Sequence, residues 1–292
     1  KHVLKIAGHI KPLRLVIDAG NGATGAFLPK LFEKLPCEVT EMYFEPDGTF
    51  PNHEANPLKP ENVADLEAKV KETGADLGIA FDGDGDRCAF VDERGEVVGS
   101  DIVTALVARE VLKSHPGAGI LYDLRSSRVV PEEITASGGK PVRSRVGHAY
   151  MKSIMREQDL PFGGELSGHY YFKENYYADS GFMAMVKVLT LLSEAEKPFS
   201  ALVEPLKRYY ATGEVNFTVE DKDAKIREIA EIFADGKIDY LDGITVSYER
   251  WWLNVRKSNT EPLVRLNLEA KTEKLRDEKL EEFKSVLGTP RE

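Results

Sequence analysis

The chain has 292 residues, 42% of them hydrophobic, and its 49 acidic side chains against 39 basic ones give a formal charge of −10. That sign excludes an electrostatic nucleic-acid binder, and no apolar run reaches membrane-spanning length, so neither nucleic acid nor membrane is an expected partner. Cys37 and Cys88 stand far apart and in no metal-ligand spacing, so no disulfide framework is expected and a reducing cytoplasm is the expected compartment. The length fits two or three domains.

In chain order, residues 13–18 form a short apolar, β-rich run that ends in Asp18-Ala19-Gly20-Asn21-Gly22. A helical stretch is expected from there to about residue 35, then a strand over 37–44. Residues 61–73 carry Val63, Leu66 and Val70 at helical spacing and stop at Gly74, which predicts a helix. A buried strand over 76–81 follows. Residues 88–92 and 96–99 read as a hairpin turning at Arg94-Gly95. Strands alternating with helices indicate an α/β unit.

A second such unit opens with a helix over 101–113, broken by Pro116-Gly117. The strand 119–122 runs into Asp123, as the first strand ran into Asp18, and leads through a polar loop into a helix. This pattern hints at a duplicated α/β unit. A strand over 142–146, a helix from about 149 and a long helix over about 180–193 complete it. Beyond about Arg208 the texture changes. Strands over 215–219, 244–248, 251–256 and 263–270, with helices over 223–233 and 273–287, predict a smaller α+β domain with a largely antiparallel sheet. The expected fold is therefore two related α/β domains with mixed sheets between helices (1–99 and 100–208), plus that C-terminal domain (209–292).

Three turns carry chemistry. Phe81-Asp82-Gly83-Asp84-Gly85-Asp86-Arg87 places three carboxylates at alternate positions. Packing those anions into one short loop is unfavourable unless a cation neutralises them, and the glycines let the backbone curl until the oxygens converge. The loop reads as a site for a hard divalent ion, Mg²⁺. Gly164-Glu165-Leu166-Ser167-Gly168-His169 sets a carboxylate and a hydroxyl on alternate residues, suited to vicinal sugar hydroxyls, beside an imidazole able to move a proton. Arg256-Lys257-Ser258-Asn259-Thr260-Glu261-Pro262, with Arg265 on the more polar face of the following strand, reads as a phosphate cradle, because guanidinium forks match phosphate oxygens in pairs. Arg125-Ser126-Ser127-Arg128 and Gly147-His148 are weaker candidates, the first for phosphate or hydroxyl contacts and the second for a helix cap or proton carrier.

Other readings of the same residues are open. Gly20-Asn21-Gly22-Ala23-Thr24-Gly25 satisfies the dinucleotide pattern, but glycine-rich strand-to-helix turns are common in α/β domains. The triple-Asp loop nearly fits a helix-flanked calcium loop, but Arg87 stands where that loop needs glycine and the flanks are strand-like. An aspartyl phosphatase would use Asp82 as nucleophile and Asp84 as acid/base. A solvated acidic turn explains one Asp-Gly better than three in register.

Taken together, the motifs resemble those of the α-D-phosphohexomutases, especially the phosphomannomutase/phosphoglucomutase branch. The likeness runs through Asp18–Gly22, the triple-Asp loop, Tyr122-Asp123-Leu124-Arg125-Ser126-Ser127, Gly147-His148, the Glu-Leu-Ser turn and Arg256-Lys257-Ser258-Asn259-Thr260-Glu261-Pro262. Family members have four domains, the first of which carries a phosphoserine loop. Thr135-Ala136-Ser137 matches only the start of that loop and continues Gly138-Gly139, so the resemblance covers domains two to four. With Lys1 rather than Met at the first position, the phosphoserine domain is expected outside this chain, as a missing partner, and the chain alone is expected to be inactive.

The resemblance implies that Asp82, Asp84 and Asp86 hold Mg²⁺ and that Arg87, His169 and His148 serve catalysis. It implies substrate contacts from Arg125, Glu165, Ser167, Arg256, Ser258, Asn259, Thr260 and Arg265. Arginine at 125, where the family often has lysine, suits phosphate better than proton transfer. The implied reaction interconverts hexose 1- and 6-phosphates of mannose or glucose through a glucose or mannose 1,6-bisphosphate, and the last domain is expected to swing on ligand binding. Leu166 and Asn259 depart from the glucosamine-mutase pattern. A non-catalytic phosphosugar-binding module is the alternative from another class.

Overall fold

A computed structural model describes residues 1–258 and 261–291. The first sheet runs in the order β2-β1-β3-β4-β5, built from β1 (Leu13–Asp18), β2 (Cys37–Met42), β3 (Leu77–Phe81), β4 (Cys88–Val91) and β5 (Val97–Val98). The first three are parallel and the last two antiparallel. The second sheet repeats this connection strand for strand. There β6 (Gly119–Asp123) pairs in parallel with β7 (Lys140–Ser144) and β8 (Phe162–Gly164), and β9 (Tyr170–Phe172) and β10 (Ala178–Asp179) extend it antiparallel. The repeat reaches atomic detail. At the end of β1 the Asp18 carboxylate accepts the Gly20 N–H at 2.7 Å, and at the end of β6 Asp123 accepts the Arg125 N–H at 2.7 Å.

Both sheets are mixed and covered on both faces, which is why β1 and β3 are apolar without alternation. Leu15, Ile17, Ile79 and Phe81 face one way, and Val16, Ala80 and Val91 face α2 (Pro60–Thr73) through Val63, Leu66 and Val70. On the second sheet Leu121 and Tyr171 face α5 (His148–Gln158) through Met151 and Met155. The inward faces of the two sheets share one continuous core with α3 (Ser100–Ser114), α4 (Val129–Ala136) and α6 (Gly181–Ala195). The two units are thus not independent cores laid side by side.

The C-terminal sheet is wholly antiparallel among the described residues, in the order β11-β15-β14-β13-β12. Its strands are β11 (Tyr210–Thr218), β12 (Lys237–Asp239), β13 (Ile244–Ser247), β14 (Trp251–Lys257) and β15 (Leu263–Ala270). One face carries Leu253, Val255, Val264, Leu266 and Leu268 into a separate core with Ile229 and Phe283. Those two residues come from α8 (Lys222–Ile232) and α9 (Glu273–Leu287). The opposite face pairs Trp252 with Glu269, Asn254 with Asn267 and Arg256 with Arg265 across the strands.

Two expectations need correction. The helix expected after the first glycine turn is only a 3₁₀ turn, Ala23–Ala26, and the five-residue α1 (Leu28–Phe32). Gly25 packs under the Phe44 carbonyl, where a Cβ would come within 1.9 Å, and this close approach ends any regular helix there. The strands β8, β9, β10 and β12 and the short α7 (Phe199–Val203) escape sequence reading because two to five residues hold no period. No helix among the described residues is long and apolar enough to cross a membrane.

Candidate active site

The triple-Asp loop joins β3 to β4, as expected. One oxygen each from Asp82, Asp84 and Asp86 lies within 4.8 Å of the others. The three are not equivalent. Asp82 is buried at 2% exposure and organises the turn: Oδ1 accepts the Gly85 and Arg87 N–H groups at 3.0 and 3.1 Å, and Oδ2 accepts Arg87 Nε at 2.7 Å. Asp84 is exposed and Asp86 half-buried. Burial first, then the neighbouring Asp82, Asp84 and Asp179 carboxylates, push Asp86 up to about 7. An all-oxygen, all-carboxylate set under this mutual repulsion fits a hard divalent cation.

The second turn occupies the corresponding place between β8 and β9, and the two turns touch. Cys88 N–H donates to the Gly168 carbonyl at 3.3 Å, and Arg87 and His169 form an antiparallel bridge. His169 Nε2 stands 3.4 Å from Asp86, and its Nδ1 is 2.9 Å from the Ser167 hydroxyl. Burial holds His169 below the usual histidine range, with the Asp179 carboxylate opposing it. Glu165 is 2% exposed and accepts from the Tyr171 hydroxyl and from Gly147 N–H at 3.1 Å. Burial raises its carboxyl above the ordinary range. Gly164 before it packs on α3, where a Cβ would stand 2.1 Å from the Thr104 hydroxyl. His148 is exposed, one residue beyond Gly147, at the start of α5.

Asp123 connects this turn to the third. Its carboxylate accepts Leu166 N–H at 2.8 Å and binds Arg125 through Nη2 at 2.8 Å and Nε at 3.3 Å. Arg125 Nη1 lies 3.9 Å from Glu214 of β11, which also contacts Arg256 and, at 3.0 Å, Arg265. Three guanidiniums from two domains thus meet at one carboxylate. Ser258 is buried, and its hydroxyl accepts Glu261 N–H at 3.3 Å. Asn259 and Thr260 lie outside the described residues.

The remainder of the Arg125–Arg128 stretch departs from expectation. Ser126 and Ser127 are buried. Arg128 is spent on docking the last domain: its guanidinium donates to the carbonyls of Tyr248, Glu249 and Trp251, and its N–H to Glu269 at 3.0 Å. The dinucleotide pattern is a closed turn. The Asn21, Gly22 and Ala23 N–H groups are taken by the Tyr43, Ala19 and Gly83 carbonyls, leaving no cradle for a pyrophosphate.

Sequence reading missed Asp123, Glu214, Tyr171 and Lys222, whose Nζ donates to the carbonyls of Ser258 and Glu261 in the third turn. Only Asp123 left a signal, as the repeat of Asp18 at a strand end. Among the described residues, buried atoms without a hydrogen-bond partner concentrate near the third turn. Arg256 Nε, Arg265 Nε and the Oδ1 atoms of Asn216, Asn254 and Asn267 all belong to the polar face of the last sheet. Such donors and acceptors call for a ligand or water.

Residues 2–95 match the family model described as phosphoglucomutase/phosphomannomutase, alpha/beta/alpha domain II, residues 99–209 that of domain III, and residues 214–285 that of the C-terminal domain. A phosphomannomutase of Methanocaldococcus jannaschii is 43% identical over 94% of this chain and 61% of its own length. A phosphomannomutase/phosphoglucomutase of Pseudomonas aeruginosa is 40% identical over 94% of this chain and 60% of its own. The crystal structure of a Burkholderia thailandensis family protein superposes with a TM-score of 0.90 at 36% identity, covering 99% of this chain and 64% of that one. The chain therefore spans about three fifths of the length of the curated relatives it matches. From its repeated sheets, its three turns and these matches, the chain belongs to the phosphoglucomutase/phosphomannomutase family.

Proposed function

We propose that this chain supplies the metal, sugar and phosphate sites of a Mg²⁺-dependent hexose phosphomutase, and that the transferring phosphoserine comes from a domain outside these 292 residues. The observation that carries this reading is the unbroken polar path from the carboxylate cluster to the arginine pair. It runs from Asp86 to His169, through the Glu165–His169 turn to Asp123, and by Arg125 and Glu214 to Arg256 and Arg265. A sugar carrying phosphate at one end can lie along such a path with the other end at the metal loop.

In this reading Arg256, Ser258 and Arg265 hold the phosphate that is not transferred, with Asn259 and Thr260, and Arg125 completes the cradle from the neighbouring domain. Glu165 and Ser167 grip ring hydroxyls. Asp82, Asp84 and Asp86 would hold Mg²⁺, which when bound withdraws charge from the phosphoryl group and orients it. Arg87, fixed on Asp82, adds positive charge from the protein side. Burial favours the neutral form of His169, which suits it to take a proton from a sugar hydroxyl, with His148 at the start of the neighbouring helix. A sugar turning over between half-reactions presents either end to the metal through its 1,6-bisphosphate.

The test is complementation. The chain alone should bind Mg²⁺ and glucose or mannose 1-phosphate without interconverting 1- and 6-phosphates, and adding a phosphoserine domain of the family in trans should restore mutase activity. Absence of hexose phosphate binding would remove the reading. Inorganic phosphate release that disappears in Asp82→Asn would favour the phosphatase.

A further inference from the structure

Arg256 and Arg265 are direct cross-strand partners on β14 and β15. Like charges so placed destabilise a sheet unless an anion sits between them. Glu214 is that anion: one carboxylate oxygen contacts Arg256 Nη2, and the other contacts Arg265 Nη1 at 3.0 Å. It reaches the arginine face only because β11 carries an extra residue. Ala211 pairs with Glu269 and Glu214 with Asn267, so three residues on β11 span two on β15. The bulge contains Gly213 at φ +69°, in the left-handed region that glycine enters freely.

Two details show that the carboxylate only partly satisfies the site. Each guanidinium touches it through a single Nη, while both Nε atoms are buried and have no hydrogen-bond partner among the described residues. The two-nitrogen fork of each arginine, the face that suits a tetrahedral oxyanion, is therefore not fully engaged. Arg256 itself is 9% exposed, so its Nε has no recourse to bulk water. Glu214, by contrast, is 27% exposed in its side chain and hangs from a bulge with open space beside Gly213. It can leave toward solvent, whereas Arg256, 11% exposed in its side chain, cannot.

We propose that Glu214 is an internal counter-ion that occupies the arginine pair between ligands and gives it up to an arriving phosphate dianion, thereby setting the phosphate affinity of the site. This rests on the reading of the Arg256–Arg265 cluster as the phosphate anchor. A carboxylate that must be displaced competes with the ligand, and one that stays repels it, so removing its charge strengthens phosphate binding in either case. A carboxylate that merely holds the arginines in place does the opposite.

Calorimetric titration of the full chain with inorganic phosphate and with glucose 1-phosphate separates these. Glu214→Gln is expected to bind both about tenfold or more tightly than wild type, and Arg256→Ala to lose binding. If Arg256→Ala loses binding but Glu214→Gln binds no tighter than wild type, the counter-ion role is wrong and the anchor stands. If Arg256→Ala binds as well as wild type, the anchor reading itself fails. A wild-type crystal structure with phosphate bound guards against a misfolded variant. Glu214 should be turned out of the arginine pair, and a carboxylate still bridging both guanidiniums would overturn the proposal.

Discussion

Asp82, Asp84 and Asp86 look equivalent in the sequence and are not equivalent in the structure. Asp82 is a structural residue as well as a candidate ligand, because it is buried and carries the turn on three donors. Asp84 is exposed, and the role proposed for it is metal binding alone. Asp84→Asn should therefore abolish the Mg²⁺-induced rise in Tm while shifting metal-free stability by no more than about 0.5 kcal/mol. Asp82→Asn should abolish it too and also cost roughly 2–3 kcal/mol, since it leaves Arg87 without its buried partner. Chemical denaturation with and without Mg²⁺ distinguishes them. A pH dependence follows from Asp86, raised to about 7 by burial and its carboxylate neighbours. Its folded-state value lies above its unfolded one, so its contribution to stability is present below pH 4 and lost as pH rises through about 7. Mg²⁺ must displace that proton, so the Mg²⁺-induced rise in Tm should be larger at pH 8 than at pH 6. An equal rise at both would show that Asp86 does not take part in binding.

At the scale of elements, the Glu165–His169 turn depends on how closely β8 can approach α3. Gly164 leaves Glu165 the room to turn inward, with Thr104 against it and the Thr104 hydroxyl bonded to the Ser100 carbonyl at 2.8 Å. Gly164→Ala should destabilise by about 1–3 kcal/mol through overpacking, and Thr104→Ala should recover part of that in the double variant, as read from denaturant midpoints. Additive losses would mean the two residues do not share the space. The last sheet shows a comparable economy. Its polar face is buried against the second unit and the candidate site, which is why Asn254, Asn267 and Glu269 are interior without being apolar.

For the whole molecule, the distribution of cores has a consequence for unfolding. The first two units share one hydrophobic core, and the last has its own. Among the described residues, what joins the last domain to the rest is largely polar: the Arg128 clamp, the ion pairs of Arg143 with Asp239 and Arg145 with Asp242, and the Arg125–Glu214 contact. Scanning calorimetry should resolve two transitions, the larger from the two shared-core units together. Arg128→Ala, losing charge-assisted bonds to three carbonyls, should lower the smaller transition by roughly 2 kcal/mol and speed proteolysis near residue 209, with little change in the larger. A joint that is polar and not a fused core also suits a domain expected to move on ligand binding.

Residue chemistry and local pattern were enough, from sequence, for the three turns, the repeat of the α/β unit and the antiparallel last sheet. Alternating carboxylates, a strand ending in Asp at both β1 and β6, and period-two polarity in β15 are all local signals, written within ten residues of themselves. What sequence could not show depends on distant strands meeting. The fused core arises because α6 packs against both sheets. The contact of His169 with Asp86 needs two turns eighty residues apart to face each other. The placement of Glu214 between Arg256 and Arg265 hangs on one extra residue in β11, which moves a side chain from one face of a sheet to the other. Such a bulge leaves no periodic trace, and the charge it delivers acts only once β11, β14 and β15 lie side by side.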